Sequence, residues 1–312
     1  MNTEQMKRKA VSRFLGLLVP GLIMVGISCR NDHPVKKTDS PTQGTIYISV
    51  DESFKPVIQE EIKVYESSFP DAHIIASYKS EAACFRDLQK DSTRLIIVSR
   101  GLTDQENKYY KSLLDYKLLW DDVAFDAISV VVNTASADTV FRLNDLKKLL
   151  SDSVNKYQAV VDGNNETSTV RYLIDSLLNG KPLGANVKAA NGSKAVLDYI
   201  SENKNAVGFV GSSWVGNEED PDQRIYDGKI KQALVACKTC GKNIFARPSQ
   251  ATIAYGQYPL VRPLYFILKE NWAGLGTGFT GFMSLERGQL IFQRAYLVPA
   301  KIYFGVRRVN DL

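Results

Sequence analysis

Strand-like and helix-like segments alternate along most of this 312-residue chain, and that alternation limits the folds that it can adopt. Residues 45–50 (Thr-Ile-Tyr-Ile-Ser-Val) have the composition of a strand, and apolar residues recur at helical spacing over 54–68. The pattern continues with strands at 73–78, 94–99 and 123–133 and with helices at 81–90 and from Thr103. Strands that alternate with helices predict an α/β fold in which helices cover a mostly parallel sheet.

Strand-like and helix-like segments also alternate in the second half of the chain. This pattern predicts strands at 159–161, 206–210 and 260–268 and helices at 143–150, 170–178, 193–202 and 282–294. Two extended runs, 127–133 and 251–268, are candidates for segments that carry the chain between two lobes. Within the second run, the residues before Pro259 and Pro263 are held extended by proline sterics, so Arg262 is interpreted as part of a crossing segment.

The N-terminus has the pattern of an export signal. Four basic residues precede an apolar run at 14–27, which Ser28 and Cys29 follow. The run is short and is broken by Pro20-Gly21, which disfavours a membrane span. We predict a lipoprotein signal peptide at 1–28, lipidation of Cys29 and a flexible tether at 29–44; the alternative is a plain signal peptide with an incidental cysteine. The expected location is the cell envelope, lipid-anchored in the periplasm or at the outer membrane or cell surface.

Charge and rare residues exclude several functions. Most of the net charge of +5 lies in the first 28 residues, so the rest of the chain gives no argument for nucleic acid binding. His33 and His73 are the only histidines, which disfavours histidine-based catalysis or metal chemistry, and we predict no catalytic residue, metal ligand or cofactor. In an oxidising compartment a disulfide is the leading interpretation of Cys237 and Cys240, ahead of a reduced pair and of a metal site.

Three loops share one design, in which a strand ends, a polar turn with a serine or threonine follows and a helix begins. They are 51–54, 79–81 and 165–169. Free backbone N–H groups at a helix N-terminus, together with nearby hydroxyls, bind anions without a metal. The alternative is that Ser53, Ser80 and Thr167 are plain N-caps.

A fourth candidate follows the third strand, where Ser99 precedes Arg100. A guanidinium can bind an oxyanion through two parallel hydrogen bonds, so Arg100 is a candidate anion-binding residue. The alternative is an ordinary surface ion pair.

A family resemblance rests on stretches whose order and spacing recur together. They are 46–54 (IYISVDESF), 97–103 (IVSRGLT), 126–133 (DAISVVVN), 167–172 (TSTVRY), 206–211 (AVGFVG) and 258–265 (YPLVRPLY). Over these stretches the chain resembles the phosphate-binding receptors of bacterial high-affinity phosphate ABC importers, in the lipoprotein form of the Bacteroidetes type.

The resemblance implies a two-lobed type II periplasmic-binding-protein fold, with mixed, mostly parallel sheets flanked by helices and with the ligand in the cleft between the lobes. It assigns 45–128 plus 250–312 to lobe 1 and 129–249 to lobe 2. The ligand-binding set implied by the resemblance, with the two residues after the third strand added, is Ser53, Phe54, Ser80, Ser99, Arg100, Thr167, Ser168 and Thr169.

The chain departs from the family at two positions. The family's arginine before the third loop is absent from 162–165, and its proton-accepting acidic residue is absent near Ser99 and Arg100. We expect Arg100 to supply the positive charge, with Arg171 as the weaker candidate. Glu52 or Glu166 is the expected proton acceptor.

The leading hypothesis is therefore a non-enzymatic, monomeric lipoprotein that captures inorganic phosphate and passes it to an ABC permease in the inner membrane. Its other expected contact is with the membrane, through the lipid anchor. The second hypothesis is the same fold binding another oxyanion or an organic phosphate. The third, a cell-envelope hydrolase, is disfavoured because the sequence has no Gly-x-Ser-x-Gly motif and almost no histidine.

Overall fold

The computed structural model describes residues 39–302, and these form alternating strands and helices. The strands are β1 (Gly44–Asp51), β2 (Ala72–Lys79), β3 (Leu95–Val98), β4 (Leu119–Asn133), β5 (Val140–Phe141), β6 (Gln158–Val161), β7 (Val187–Ala189), β8 (Ala206–Gly211), β9 (Ile230–Gln232), β10 (Leu234–Ala236), β11 (Phe245–Ala246), β12 (Val261–Leu268) and β13 (Val298–Pro299). The helices are α1 (Lys55–Ser68), α2 (Glu81–Leu88), α3 (Asp104–Leu114), α4 (Leu143–Ser151), α5 (Ser168–Tyr172), α6 (Ser193–Glu202), α7 (Pro221–Arg224), α8 (Gln250–Ala254), α9 (Leu275–Ser284) and α10 (Glu286–Arg294). Short 3₁₀ turns at Glu52–Phe54 and Ser212–Trp214 and a π-helical turn at Leu173–Leu177 complete the set.

One long sheet organises the described residues. Its strand order is β2-β1-β3-β12-β4-β8-β6-β7, and β9 and β13 also pair with β4. Strand β4 is 15 residues long, and its first half pairs with β12 while its second half pairs with β8. The two halves of the sheet therefore share β4, and a small separate sheet, β11-β10-β5, lies beside them.

The α/β prediction is confirmed, and the strand directions refine it. Pairing is parallel where β1 meets β2 and β3, and where β6 meets β7 and β8. The central strands β4 and β12 run antiparallel to each other and to their other neighbours β3 and β8. The sheet is thus mixed, as the resemblance implies, because the chain crosses its middle in both directions. Parallel pairing in this sheet is found among the outer strands.

Buried apolar residues fall into clusters on each side of the sheet in both halves. In β1, Ile46, Ile48 and Val50 point into the core while Tyr47 is 60% exposed, as period-2 alternation requires. Strands β3 and β8 are buried along their whole length because helices cover both faces. Ile253 and Tyr258 pack with the core of the half that contains β6 and β8.

The cysteine and N-terminal predictions have different outcomes. Cys237 and Cys240 form a disulfide in the structure, and Cys84 is a buried free thiol. The predicted signal peptide, Cys29 and most of the tether lie outside the described residues. Within residues 39–302, none of the helices has the length and apolar character needed to cross a membrane.

Candidate functional site

A buried arginine on β12 organises a cluster of polar side chains that we call the arginine cluster: Arg262, Asp126, Ser53, Ser168 and Thr169. Arg262 is 1% exposed, and its Nε and Nη2 donate to Asp126 Oδ2 at 3.1 and 2.9 Å. Its Nη1 donates to Ser168 Oγ at 2.8 Å and to Thr169 Oγ1 at 3.3 Å. Ser53 Oγ lies 3.3 Å from Ser168 Oγ and 3.5 Å from Thr169 Oγ1. One guanidinium edge and three hydroxyls therefore converge in the protein interior.

The fold brings these residues together from four elements. Arg262 and Asp126 face each other because β12 and β4 are paired in register at these positions. Ser168 and Thr169 open α5, directly after the loop that follows β6. Ser53 lies in the 3₁₀ turn after β1. The two sides of the cluster come from different halves of the sheet.

The aromatic ring of Phe54 packs against the Arg262 guanidinium. Phe54 is fully buried, and the Arg262 guanidinium carbon lies 4.9 Å from the centre of its ring. A guanidinium that stacks on an aromatic face keeps its in-plane N–H groups available for other acceptors. Phe54, predicted as a ligand contact, thus positions Arg262 in this structure.

A cavity of about 530 Å³ reaches the cluster at Ser53, and acidic groups line its inner wall. Asp51 and Asp162 are 1% and 4% exposed, and the Oδ2 atom of each has no hydrogen-bond partner among the described residues. Burial raises the pKa of Asp51 to about 7, although the nearby Arg262 charge opposes the shift. Burial also raises the pKa of Asp162 and of Glu52, which lines the same cavity.

Thr167 and Ser80 are helix N-caps that also line the cavity. Thr167 Oγ1 accepts from the Val170 N–H at 3.4 Å and donates to Asp162 Oδ1 at 2.7 Å. Ser80 Oγ accepts from the Ala83 N–H at 3.4 Å. Both residues are therefore helix N-caps, which was the alternative interpretation, and both also line the cavity.

Ser99 belongs to a neighbouring network and not to the arginine cluster. Its backbone N–H and its hydroxyl both donate to Glu81 Oε1 at 2.9 Å. Arg171 donates from Nη2 to Ser99 Oγ at 2.8 Å and from Nε to Glu81 Oε2. Arg171 is thus occupied by a carboxylate in this structure.

The structure does not bring Arg100 to the arginine cluster. Its Nη1 and Nη2 donate to the two carboxylate oxygens of Glu106 at 2.8 and 2.9 Å, and its guanidinium lies 3.7 Å from the centre of the Phe85 ring. The ion pair forms because Glu106 sits six residues away in the first turn of α3. In this structure Arg262, and not Arg100, contacts the hydroxyls of the cluster, and a ligand role for Arg100 stays a prediction.

The two expected proton acceptors, Glu166 and Glu52, already accept hydrogen bonds from other residues of the protein. Glu166 forms a two-pronged ion pair with Arg86 at 3.1 Å and accepts from Ser80 Oγ at 3.4 Å. Glu52 accepts from the backbone N–H of Ser193 and, at 2.9 Å, from its hydroxyl. Within residues 39–302, Asp51 and Asp162 are the cavity-lining residues with a buried carboxyl oxygen that lacks a hydrogen-bond partner, and neither is among the predicted ligand residues.

Arg262 is the central residue that sequence reasoning missed. Its sequence signal is a lone charge inside the apolar run Val-Arg-Pro-Leu-Tyr-Phe-Ile-Leu, at a position whose alternate neighbours Leu264 and Phe266 are buried. A charge at a buried position of a strand requires a partner, because an unpaired buried charge is strongly unfavourable. That rule marks Arg262 but does not name Asp126 as the partner.

Comparison with known proteins gives a consistent picture. A PBP superfamily domain model matches residues 35–286. Protein SphX of Synechococcus elongatus is 26% identical over 200 residues, which cover 58% of this chain and 56% of that protein. Phosphate-binding protein PstS of Staphylococcus epidermidis is 22% identical over 267 residues, 80% of this chain and 77% of the relative.

A solved structure extends the likeness to the fold. A protein from Clostridium perfringens, described as a phosphate ABC transporter substrate-binding protein with bound phosphate, superimposes with a TM-score of 0.68 at 18% identity. The match covers 83% of this chain and 100% of that one, so the two share the type II periplasmic-binding-protein fold.

Proposed function

The chain belongs to the PBP superfamily, and from that premise we propose that it captures inorganic phosphate for an ABC importer. The observation that carries the proposal is the convergence of Arg262 Nη1 with the hydroxyls of Ser53, Ser168 and Thr169. These are donors, and several donors around one point match the oxygens of a tetrahedral oxyanion. Two of the similar proteins are named for phosphate, the PstS of Staphylococcus epidermidis and the Clostridium perfringens protein, which supports this ligand.

In the proposed mechanism, the ligand replaces hydrogen bonds that the cluster now makes within itself. Phosphate oxygens accept from Arg262 Nη1 and from the hydroxyls. Asp126 keeps the other two guanidinium N–H groups and neutralises Arg262 before the ligand arrives. The buried charge is therefore paired in both states, which avoids the cost of an isolated ion.

Binding is proposed to favour the closed arrangement of two lobes. Ser53 comes from one half of the sheet and Ser168 and Thr169 come from the other, so one anion contacts both. A ligand whose full set of contacts exists only in the closed form shifts the population toward closure. The lobes predicted from the sequence are 45–128 with 250–312 and 129–249. Because Ile253 and Tyr258 pack in the core of the half that contains β6 and β8, we propose that the return crossing runs along β12 and that the residues before it belong to the second lobe.

We propose the following cellular setting. The protein acts outside the cytoplasm, held to a membrane through a lipid on Cys29, and delivers phosphate to the permease of an importer in the inner membrane. It acts as a monomer and catalyses no reaction.

Isothermal titration of the folded protein with phosphate and then with sulfate tests the proposal. We expect phosphate to bind more tightly than sulfate. Ser168→Ala removes one donor and should weaken phosphate binding about tenfold. Ser284→Ala is the matched control, because among the described residues the Ser284 hydroxyl donates to the Thr280 carbonyl within α9 and to no other group. Absence of phosphate binding by the wild-type protein at millimolar concentration would refute the proposal.

One observation favours a second candidate ligand class, the organic phosphates. The cavity of about 530 Å³ is lined by Tyr78, Gly163 and Asn191 as well as by Ser53, and it offers more room than a bare phosphate needs. Competition titrations with small phosphate monoesters against inorganic phosphate distinguish the two. Tighter binding of an ester would identify it as the ligand.

A further inference from the structure

A long stretch of the chain around the disulfide has no acidic residue. Between Gly228 and Lys269 the sequence contains no aspartate or glutamate, although it contains seven lysines and arginines. Two of these, Arg262 and Lys269, are buried, and the others are exposed or half-buried. Because most of the net charge of +5 lies in the first 28 residues, this excess of positive charge is a local feature of the surface.

The disulfide lies in the loop of the hairpin that β10 and β11 form. The two strands pair antiparallel, and residues 237–244 connect them. Cys237 and Cys240 are bonded to each other, and the Cys237 N–H donates to the Ile244 carbonyl at 2.9 Å. A loop that is already held in this way loses little conformational freedom when it binds a partner.

The loop packs beside the turn that follows α8. The Lys238 N–H donates to the Gln257 carbonyl at 2.9 Å, and the Thr239 hydroxyl donates to the Gly256 carbonyl at 3.3 Å. Tyr255 precedes this turn and is 50% exposed. An aromatic residue therefore lies next to the basic loop at the surface.

Arg142 contacts the same loop from the start of α4. Its Nη2 donates to Asn243 Oδ1 at 2.8 Å, and the next residue, Ile244, is 50% exposed. Asp145 accepts from the Arg142 backbone N–H at 2.9 Å, so this carboxylate caps α4. We call this surface the hairpin patch, and its members are Arg142, Lys238, Lys242, Ile244 and Tyr255. Within residues 39–302, its three basic side chains form no ion pair.

We propose that the hairpin patch is a membrane-docking surface, which binds the anionic headgroups of a phospholipid bilayer through its basic side chains and places Ile244 and Tyr255 between them. Unpaired lysines and arginines attract an anionic surface, and neighbouring aliphatic and aromatic side chains add apolar contact at the interface. A bilayer is favoured over an acidic protein because the proposed lipid on Cys29 holds the chain at a membrane. Only this choice of partner rests on the proposed cellular setting, since the patch includes no residue of the anion site.

Docking would add a second point of contact to the lipid anchor. An anchor at one end of a tether leaves the protein free to turn, whereas a second contact fixes which face is directed toward the bilayer. The affinity of the patch for the membrane should depend on salt, because exposed charges are screened as the ionic strength rises.

The first test uses residues 29–312 with Cys29→Ser, which include every described residue and carry no lipid. The protein is sedimented with vesicles of phosphatidylglycerol and phosphatidylcholine, and with vesicles of phosphatidylcholine alone, at about 0.1 M and about 0.5 M salt. We expect binding to the anionic vesicles that falls at least tenfold at the higher salt concentration. Absence of binding to anionic vesicles at low salt, or equal binding to both kinds of vesicle, overturns the inference.

The second test locates the contact. Each lysine near an anionic bilayer contributes about a factor of five to binding, so Lys238→Glu combined with Lys242→Glu should weaken vesicle binding at least tenfold. Lys108→Glu combined with Lys111→Glu is the control, because it makes the same change of net charge at exposed positions on α3. The control should stay within about twofold of the wild type, since charges far from the contact are screened. An equal loss in both double variants shows a response to net charge alone and overturns the patch.

A third variant tests the apolar contact. Ile244→Ser should weaken binding to anionic vesicles at both salt concentrations and leave the salt dependence unchanged, because it removes apolar area but no charge. Unchanged binding overturns the insertion of Ile244. Thermal melts check that each variant folds. Phosphate titration separates the two proposals: a protein that binds anionic vesicles but not phosphate overturns the proposed function alone, and the reverse result overturns membrane docking alone.

Discussion

Replacing Arg262 by methionine is expected to reduce the stability of the folded protein severely. The side chain keeps its apolar contact with Phe54 but loses its charge, which leaves the Asp126 carboxyl without its cationic partner at a position with 0% exposure. Asp126 Oδ2 now accepts from the guanidinium at 2.9 and 3.1 Å, while Oδ1 accepts from the backbone N–H and hydroxyl of Ser212. Only the Oδ1 contacts survive the substitution.

The size of the effect follows from this geometry. Removing one partner of a buried ion pair costs about 3–5 kcal/mol, because the remaining charge is uncompensated. For a chain of this size, that loss corresponds to a fall of roughly 10 °C in melting temperature. Thermal melts and urea titrations of the wild type and Arg262→Met at neutral pH measure both quantities.

A double variant tests the reasoning further. Asp126→Asn in the Arg262→Met background removes the uncompensated charge, and its amide oxygen still accepts from Ser212. We expect it to recover at least half of the lost free energy of unfolding. The explanation is wrong if Arg262→Met costs less than about 1 kcal/mol, or if the second substitution brings no recovery.

Three further predictions concern the scaffold. Burial raises the pKa of Glu61 well above its ordinary value of 4.5, so the folded state holds a proton that the unfolded state releases, and the free energy of unfolding falls as the pH rises above about 4.5. Glu61→Leu should therefore raise the melting temperature more at about pH 8 than at about pH 4; an equal gain at both would contradict this. Reducing the Cys237–Cys240 disulfide, which closes a very short loop, should cost about 2 kcal/mol or less and leave phosphate binding intact, as melts and titrations with and without reductant would show. Gly208→Ala places a methyl group 2.8 Å from three aliphatic side chains and should cost about 1–3 kcal/mol in urea unfolding, whereas Gly281→Ala, with nothing within 4 Å, should cost nothing.

Local signals in the sequence were sufficient for most strands and helices. Thr103 and Glu106 form the capping box that starts α3, as their spacing predicts. The sequence pattern predicts a helix only from residue 282, yet α9 already begins at Leu275, within a stretch that is rich in glycine. The structure gives a reason: a Cβ on Gly278 would lie 2.3 Å from the Pro41 carbonyl oxygen, so a small residue lets the helix pack closely.

The candidate site was only partly predictable because its key pairs are distant in sequence. The hydroxyls of Ser53, Ser168 and Thr169 were selected from loop design and from resemblance, and the structure brings them together. Arg262 and Asp126 are 136 residues apart and meet only through the register of two antiparallel strands. Sequence patterns of short range cannot supply that register.

The long strand β4 has a consequence for how the molecule holds together. It supplies hydrogen bonds to β12 on one side of its midpoint and to β8 beyond it, so each half of the sheet is completed by the same piece of chain. A fragment that ends near residue 128 would lose the β4 residues that pair with β8. Neither half is then a self-sufficient folding unit, and heat or denaturant should melt the two in a single cooperative transition.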